Sequence, residues 1–139
     1  MDDDKRVPAE LTPKLALGLL GHEEFGRVAF VADGLPTIRP LNHVVYEGLI
    51  LVHTRHTTAF AKAVLAHPGL PVAYQADEID RHSRLGWSVL VSGTAADVTD
   101  SRRTERLGPR VQSWLARSLD TVIAITPQEV TGLRLTLEQ

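Results

Sequence analysis

The chain of 139 residues contains no cysteine. That excludes disulfides, a thiolate zinc site and a cysteine nucleophile. It also suits a reducing compartment, so a cytoplasmic location is expected. Aromatic residues make up only 5% of the chain, which leaves few rings to stack on bases. The formal net charge of −2 speaks against the basic face of a nucleic-acid binder. No stretch approaches the roughly 18 consecutive apolar residues of a membrane-spanning helix, and the acidic first ten residues hold no apolar run to read as a signal peptide. Neither a G-x-G-x-x-G fingerprint nor a phosphate-binding P-loop is present. There is also no G-x-S-x-G elbow for a serine hydrolase. His53 and His56 lie three apart, His43 and His82 stand elsewhere, and no carboxylate completes a metal-binding spacing. No metal is expected.

What is present describes one globular domain: 43% hydrophobic and 23% charged residues, near the average for folded proteins. Residues 1–10, with the run Asp2-Asp3-Asp4-Lys5, are expected to be a disordered tail, and residues 11–139 a single domain. A short helix is predicted from Pro13 to Leu20, capped by Thr12 and ended by Gly21. Two β-rich runs, Phe25 to Ala32 and Leu35 to Tyr46, flank Asp33-Gly34, a dipeptide suited to a tight hairpin. Pro36 and Pro40 make the second run irregular or place it at an edge. A strand is predicted from Leu49 to Thr54, then a helix from Thr57 to Ala66, halted by His67-Pro68-Gly69. Pro71 to Ala76 and Gly86 to Val98 read as strands around a polar loop from Asp77 to Leu85. Asp100 to Leu107 and Val111 to Leu119 read as helices, their Arg102, Arg103, Arg106 and Arg110 forming a solvated face. Thr121 to Thr126 and Thr131 to Leu137 are predicted to close as a hairpin. Roughly six strands with few helices predict a mainly β fold, a small antiparallel barrel with flanking helices.

Three places could carry chemistry. At the strand-to-helix junction His53-Thr54-Arg55-His56-Thr57-Thr58, the helix N-terminus offers unpaired N–H groups and partial positive charge to a phosphate. Threonine hydroxyls, Arg55 and, one turn on, Lys62 could add donors. The plainer reading has Thr57 or Thr58 capping the helix, with Arg55 and Lys62 solvated. The run Gly86-Trp87-Ser88-Val89 puts one polar group, Ser88, in an apolar strand, while Trp87 reads as core or interface. In Arg39-Pro40-Leu41-Asn42-His43, polar side chains share a strand with a proline. They need partners if buried and none if the strand is a solvated edge. His43 reads either as a proton-transfer group or as a hydrogen-bonded sheet residue.

In order and spacing, several of these pieces resemble the pyridoxamine 5'-phosphate oxidase-like flavoproteins, the FMN-binding split barrels. The markers are Gly26-Arg27-Val28-Ala29-Phe30, Asp33-Gly34-Leu35-Pro36, Pro40-Leu41-Asn42 and Thr54 before the helix. They continue with Val72-Ala73-Tyr74 leading to Asp77, Gly86 to Gly93, Ile125-Thr126-Pro127 and Val130-Thr131-Gly132. The likeness spans about Leu19 to Leu135 and is greatest to the small bacterial branch that includes nitroimidazole-resistance-like proteins. It implies a six-stranded antiparallel split barrel, a homodimer, and FMN held between subunits. The implied phosphate contacts are Thr54, Arg55, Thr57 and Thr58. The flavin ring would lie along Arg39, Pro40, Leu41 and Asn42, and Ser88 would touch it. Two departures stand out. Relatives carry a lysine at the helix start where this chain has Thr57-Thr58-Ala59, so Arg55 or Lys62 is expected to replace its charge. Relatives also tend to carry Gly-Arg-Arg where this chain has Gly132-Leu133-Arg134.

The arginine-rich substrate strand and tryptophan-containing C-terminal segment of the vitamin B6 enzyme are missing, so another small molecule is expected as substrate. The resemblance thus implies an FMN-dependent oxidoreductase passing a hydride from a reduced nicotinamide or similar donor to a small acceptor. Two alternatives stay open: the deazaflavin F420 as cofactor on the same fold, or a flavin-binding module without turnover. No catalytic side chain is assigned.

Overall fold

The computed structural model describes residues 6–100 and 119–137. In chain order the elements are β1 (Arg6–Leu11), α1 (Pro13–Gly21), β2 (Phe25–Ala32), β3 (Leu35–Tyr46), β4 (Leu49–Thr54), α2 (Ala59–Ala66), β5 (Leu70–Ile79), β6 (Gly86–Asp97) and β7 (Thr121–Leu137). All ladders are antiparallel. The strands β7, β4, β3, β2, β5 and β6 follow one another round the sheet, and β6 pairs back onto β7. This closes the expected six-stranded barrel, and β1 adds a seventh strand outside the ring.

Alternation explains the barrel. In β2, β5 and β6 every second residue is buried: Val28 and Phe30, Val72, Tyr74 and Ala76, Val89 and Val91. Ile50 and Val52 from β4 and Ile123 and Ile125 from β7 complete the interior. The helices cap this core with their apolar faces, α1 through Ala16 and Leu20, α2 through Phe60, Ala61 and Val64. Phe60 meets Phe30 with ring centroids 5.2 Å apart. Each large side chain so buried contributes about 1.5–3 kcal/mol. The β2–β3 hairpin turns at Asp33 and Gly34, both at positive φ (52° and 78°), as its two-residue turn requires.

Three expectations are revised or fall outside the described residues. Arg6–Leu11, expected to lie mostly in a tail, forms β1, pairing with β7 from Arg6↔Leu137 to Leu11↔Gly132. β7 outruns β4, whose pairing ends at Ile50↔Ile125, and β1 takes up the edge left over; Pro8 is tolerated because the strand is outermost. The closing hairpin is instead one continuous strand. Gly93 faces Pro127 and Ser92 faces Glu129, so Gln128 is an extra residue in a bulge that accommodates the proline. The two helices expected between Asp100 and Leu119, with their four arginines, lie outside the described residues.

The ladder between β3 and β4 is the feature that matters most. β3 pairs with β2 from Leu35 to Asn42, but with β4 only from His43↔Val52 to Tyr46↔Leu49. Among the described residues its first eight positions therefore have a strand on one side only. Pro36 and Pro40 fall in that stretch. Proline has no N–H to donate, so this segment is poorly suited to a ladder on both edges, in line with the edge expectation.

The bulge region makes a direct test. A Cβ at Gly93 would overlap the backbone carbonyl of Thr126, whereas one at Gly18 in α1 meets nothing within 4 Å. Gly93→Ala is expected to cost about 1–3 kcal/mol or more through backbone displacement. Gly18→Ala is expected to gain about 0.5–1 kcal/mol of helix stability. Urea denaturation of both variants checks the pair.

Candidate functional site

Where β3 parts from β4, two sequence-predicted groups of residues face the same opening. On one side is the open edge of β3, with Arg39 and Pro40 exposed and Leu41 and Asn42 half-buried. On the other β4 ends at Thr54, which is buried, and the chain turns through Arg55–Thr58 into α2. The β3–β4 pairing stops at His43↔Val52, so Leu41 and Thr54 flank the point of separation. Nine of the ten predicted site residues lie around it.

The junction is held by its own side chains. Thr58 is the N-cap of α2: its hydroxyl accepts from Ala61 N at 3.2 Å and from Thr54 Oγ1 at 3.3 Å, and donates to Arg55 O at 3.0 Å. That hydroxyl is fully committed, so Thr58 organises the turn and offers no spare donor. Thr57 is exposed, and the N–H groups of Ala59 and Phe60 belong to the first helical turn, where no intrahelical acceptor exists. Lys62 is exposed one turn along, at i+4 from Thr58. Neither it nor Arg55 pairs with a carboxylate among the described residues. Two cationic residues, Arg55 and Lys62, and several N–H groups thus belong to the first turn of α2 and the loop before it.

Asp120 contributes a clamp absent from the sequence reading. Its carboxylate accepts from His56 N at 2.7 Å, from His56 Nδ1–H at 2.7 Å and from Thr121 Oγ1 at 2.8 Å. These hydrogen bonds, that of the His56 side chain foremost, pull its carboxyl down to about 2. The clamp ties the junction loop to the start of β7. Its partners are 64 residues apart in the chain, beyond the reach of any local motif.

A second polar group lies beneath β3. His43 is buried, its Nε2–H donating to Leu20 O at 2.8 Å and its Nδ1 lying 2.6 Å from the Tyr74 hydroxyl. Burial lowers its pKa, opposed by the hydrogen bond to Leu20, and burial pushes the Tyr74 phenol up. The sheet-residue reading of His43 is therefore the one the geometry shows: both ring nitrogens are engaged inside the core. Gly26 makes room for this arrangement, since a Cβ there would overlap the Tyr74 ring.

Ser88 stands apart. In the six-stranded ring β6 lies opposite β3, three strands away in either direction, about 14 Å along the sheet at the usual strand spacing. Ser88 alternates with the buried Val89 and Val91 and so faces outward. Trp87 packs half-buried against the core, as its plainer reading had it. Beside them the β5–β6 turn borders an open, shallow pocket lined by Glu78, Asp80, Arg81, His82 and Trp87 among others.

Residues 14–136 match the family model described as pyridoxamine 5'-phosphate oxidase. An uncharacterized protein of Mycobacterium tuberculosis is 41% identical over 132 residues, covering 94% of this chain and 87% of that one. Among solved structures, an FAD-binding protein of Mycobacterium smegmatis superposes with a TM-score of 0.68 at 26% identity, over 92% of this chain and 98% of the other. A Bacteroides thetaiotaomicron protein with a proposed role in 5-nitroimidazole antibiotic resistance shares the fold, with a TM-score of 0.69 at 9% identity, over 95% and 90% of the two chains.

The Asp120 clamp carries a pH signature. Its carboxyl is depressed in the folded chain from an ordinary 3.8 to about 2. The stability it contributes is therefore complete above about pH 5 and lost as the pH falls through 3.8 to about 2. In thermal melts across this range, wild type is expected to lose its margin over Asp120→Asn as the pH drops, while above about pH 5 the margin stays constant.

Proposed function

Since the chain belongs to the pyridoxamine 5'-phosphate oxidase family, we propose that it is a flavoprotein that holds FMN in the opening between β3 and β4. The observation that carries this reading is the split itself. It sets an open strand edge, Arg39–Asn42, against a helix end rich in donors. The residues fit the group. The first-turn N–H groups of α2, the Thr57 hydroxyl, Arg55 and Lys62 suit a phosphate, and the half-buried Leu41 and Asn42 suit the side of a large planar ring. Thr54 and Thr58 hold the turn in shape. Arg55 and Lys62 supply the charge for which relatives use a lysine at the helix start.

A bound flavin supplies hydride chemistry between a reduced nicotinamide or similar donor and a small acceptor, while the protein binds, orients and excludes water. On this reading the chain is an oxidoreductase at work in the cytoplasm. A second reading, a flavin-binding module without turnover, is favoured by one observation. The nearest candidate for proton transfer, His43, has both ring nitrogens engaged away from the opening. FAD, as in the M. smegmatis relative, and F420 are the rival cofactors.

The position of Ser88 supports a homodimer. If Ser88 touches a flavin held against β3, that flavin belongs to another copy, because β6 and β3 lie on opposite walls of one barrel. Two exposed apolar surfaces are available for such a contact. One is on the β2–β3 hairpin, with Phe25, Val31, Leu35 (68% exposed) and Ile38 (62%); the other is on β6 and β7, with Leu90 and Leu133. Packing the first against the second about a two-fold axis would bring Ser88 of each copy to the open β3 edge of the other.

The absorbance spectrum of the purified protein, followed by titrations with FMN, FAD and F420, tests the reading. FMN is expected to bind with at least micromolar affinity. A charge-assisted contact is worth roughly 1.5–3 kcal/mol, so loss of Arg55 or Lys62 to Ala is expected to weaken FMN binding about tenfold or more. Absence of binding by all three cofactors would refute it, and turnover with a nicotinamide donor separates enzyme from module. Light scattering is expected to show a dimer for wild type and a monomer with weakened flavin affinity for Ile38→Asp.

A further inference from the structure

At the residue where β3 loses its second ladder, two buried side chains take over the bonding. His43 Nε2 lies 2.8 Å from Leu20 O at the end of α1, and its Nδ1 lies 2.6 Å from the Tyr74 hydroxyl. That hydroxyl lies in turn 3.3 Å from the carbonyl of Leu41, which pairs with Gly26 of β2 in the stretch of β3 whose other edge is open. The ring is set edge-on to Tyr74, with centroids 5.1 Å apart. These contacts form a chain from α1 through β3 and β5 to the edge of the opening.

Hydrogen-bond chemistry allows this chain two states. A carbonyl only accepts, so Nε2 facing Leu20 carries a proton in both. With a neutral ring, Nδ1 has a lone pair and takes the single phenol proton of Tyr74, which leaves the Leu41 carbonyl without that donor. When the ring gains a second proton, Nδ1–H donates to the Tyr74 oxygen and the phenol proton turns to Leu41. One added proton reverses one hydrogen bond and makes another, and no bond to Leu20 is lost.

We propose that His43 and Tyr74 are positioning residues for the opening, with the protonation state of His43 deciding, through Tyr74, whether the Leu41 carbonyl gains a second hydrogen bond from the barrel interior beside its pairing with β2. The consequence for flavin rests on the function proposed above; the hydrogen-bond switch does not. The groups that meet His43 come from four parts of the fold. α1 gives the Leu20 carbonyl, and the turn before β2 gives the Glu24 carbonyl to His43 N at 2.9 Å. β4 sets Val52 opposite, and β5 gives Tyr74. His22, Glu23 and Glu24 in that turn, Arg39 and Tyr46 on the same strand and His53 next to Val52 on β4 are the ionisable residues nearest to it along these elements. Among the described residues none of them forms a hydrogen bond or ion pair with the ring. Burial disfavours the imidazolium, so the state without the Tyr74–Leu41 bond prevails at neutral pH and the state with it appears as the pH falls below the ordinary histidine value of 6.5.

The test is an NMR titration of the flavin-free full chain, following the 15N shifts of the His43 ring and the 13C shift of the Leu41 carbonyl. In wild type both are expected to titrate together, with a midpoint below 6.5. In Tyr74→Phe, which keeps the ring under Gly26 but removes the hydroxyl, the Leu41 shift is expected to stay flat. A Leu41 carbonyl that does not follow His43, or a His43 ring that stays neutral down to acid unfolding, overturns the proposal from wild-type data alone. In a second arm, FMN affinity of wild type relative to Tyr74→Phe is expected to rise about threefold to tenfold across that midpoint, the scale of one hydrogen bond. Titration of the FMN phosphate is common to both proteins and cancels in the ratio. A flat ratio with a working carbonyl switch removes the link to the cofactor, and wild type that binds no FMN refutes the flavin reading while the carbonyl arm still judges the switch.

Discussion

Backbone N–H and C=O groups must find partners, and in this barrel one strand is prevented from finding them on both sides. Pro36 and Pro40 interrupt the donor row of β3, which keeps its ladder to β2 but holds β4 only through its last four residues. The remaining architecture accommodates that fault. β7 spans 17 residues and supplies partners to β4, β6 and β1 in turn, so the ring closes although one seam is open. The opening at that seam is where the end of β4, the start of α2 and the free edge of β3 meet.

Polar side chains stabilise the seam where a ladder is missing. The Thr58 hydroxyl occupies the helix cap, Asp120 fastens the turn to β7, and the His43–Tyr74 pair joins α1, β3 and β5 beneath the open edge. Each device is specific in geometry and small in energy, of order 1 kcal/mol per hydrogen bond. The core of α1, α2 and the barrel interior provides the bulk of the stability, which leaves the seam free to serve a ligand. The same division explains why large apolar side chains such as Leu35 and Ile38 stay exposed on the hairpin that the seam frees: they lie on the surface the proposed dimer would cover.

Much of this was legible in the sequence, for reasons that can be named. β2, β3 and β4 were bounded correctly because Asp33-Gly34 and Glu47-Gly48 are turn pairs with positive φ at all four positions, a requirement written into residue type. Thr12 and Thr58 both cap helices, as hydroxyl residues before an apolar period suggest. β1 was missed because six residues holding a proline and two charges give no strand signal; only the vacant edge of β7 makes them one. The expected closing hairpin left residues 127–130 as a turn, but a bulge opposite Gly93 carries Pro127 within one continuous strand. The junction from Thr54 to Lys62 stood out as a helix start with hydroxyl and cationic donors, and the resemblance to a family added the ring-binding expectation for Arg39–Asn42. The Asp120 clamp and the Tyr74 link were not legible, because each joins residues that are distant in sequence and ordinary in type.

The most direct measurement of the central claim is a 1H–15N spectrum of the isotope-labelled protein titrated with FMN. If the split between β3 and β4 is the flavin site, the largest perturbations fall on Arg39, Leu41 and Asn42 and on Thr54 to Phe60, with Ser88 responding across the dimer. Saturable binding that leaves both sides of the seam unperturbed and moves resonances elsewhere would contradict it.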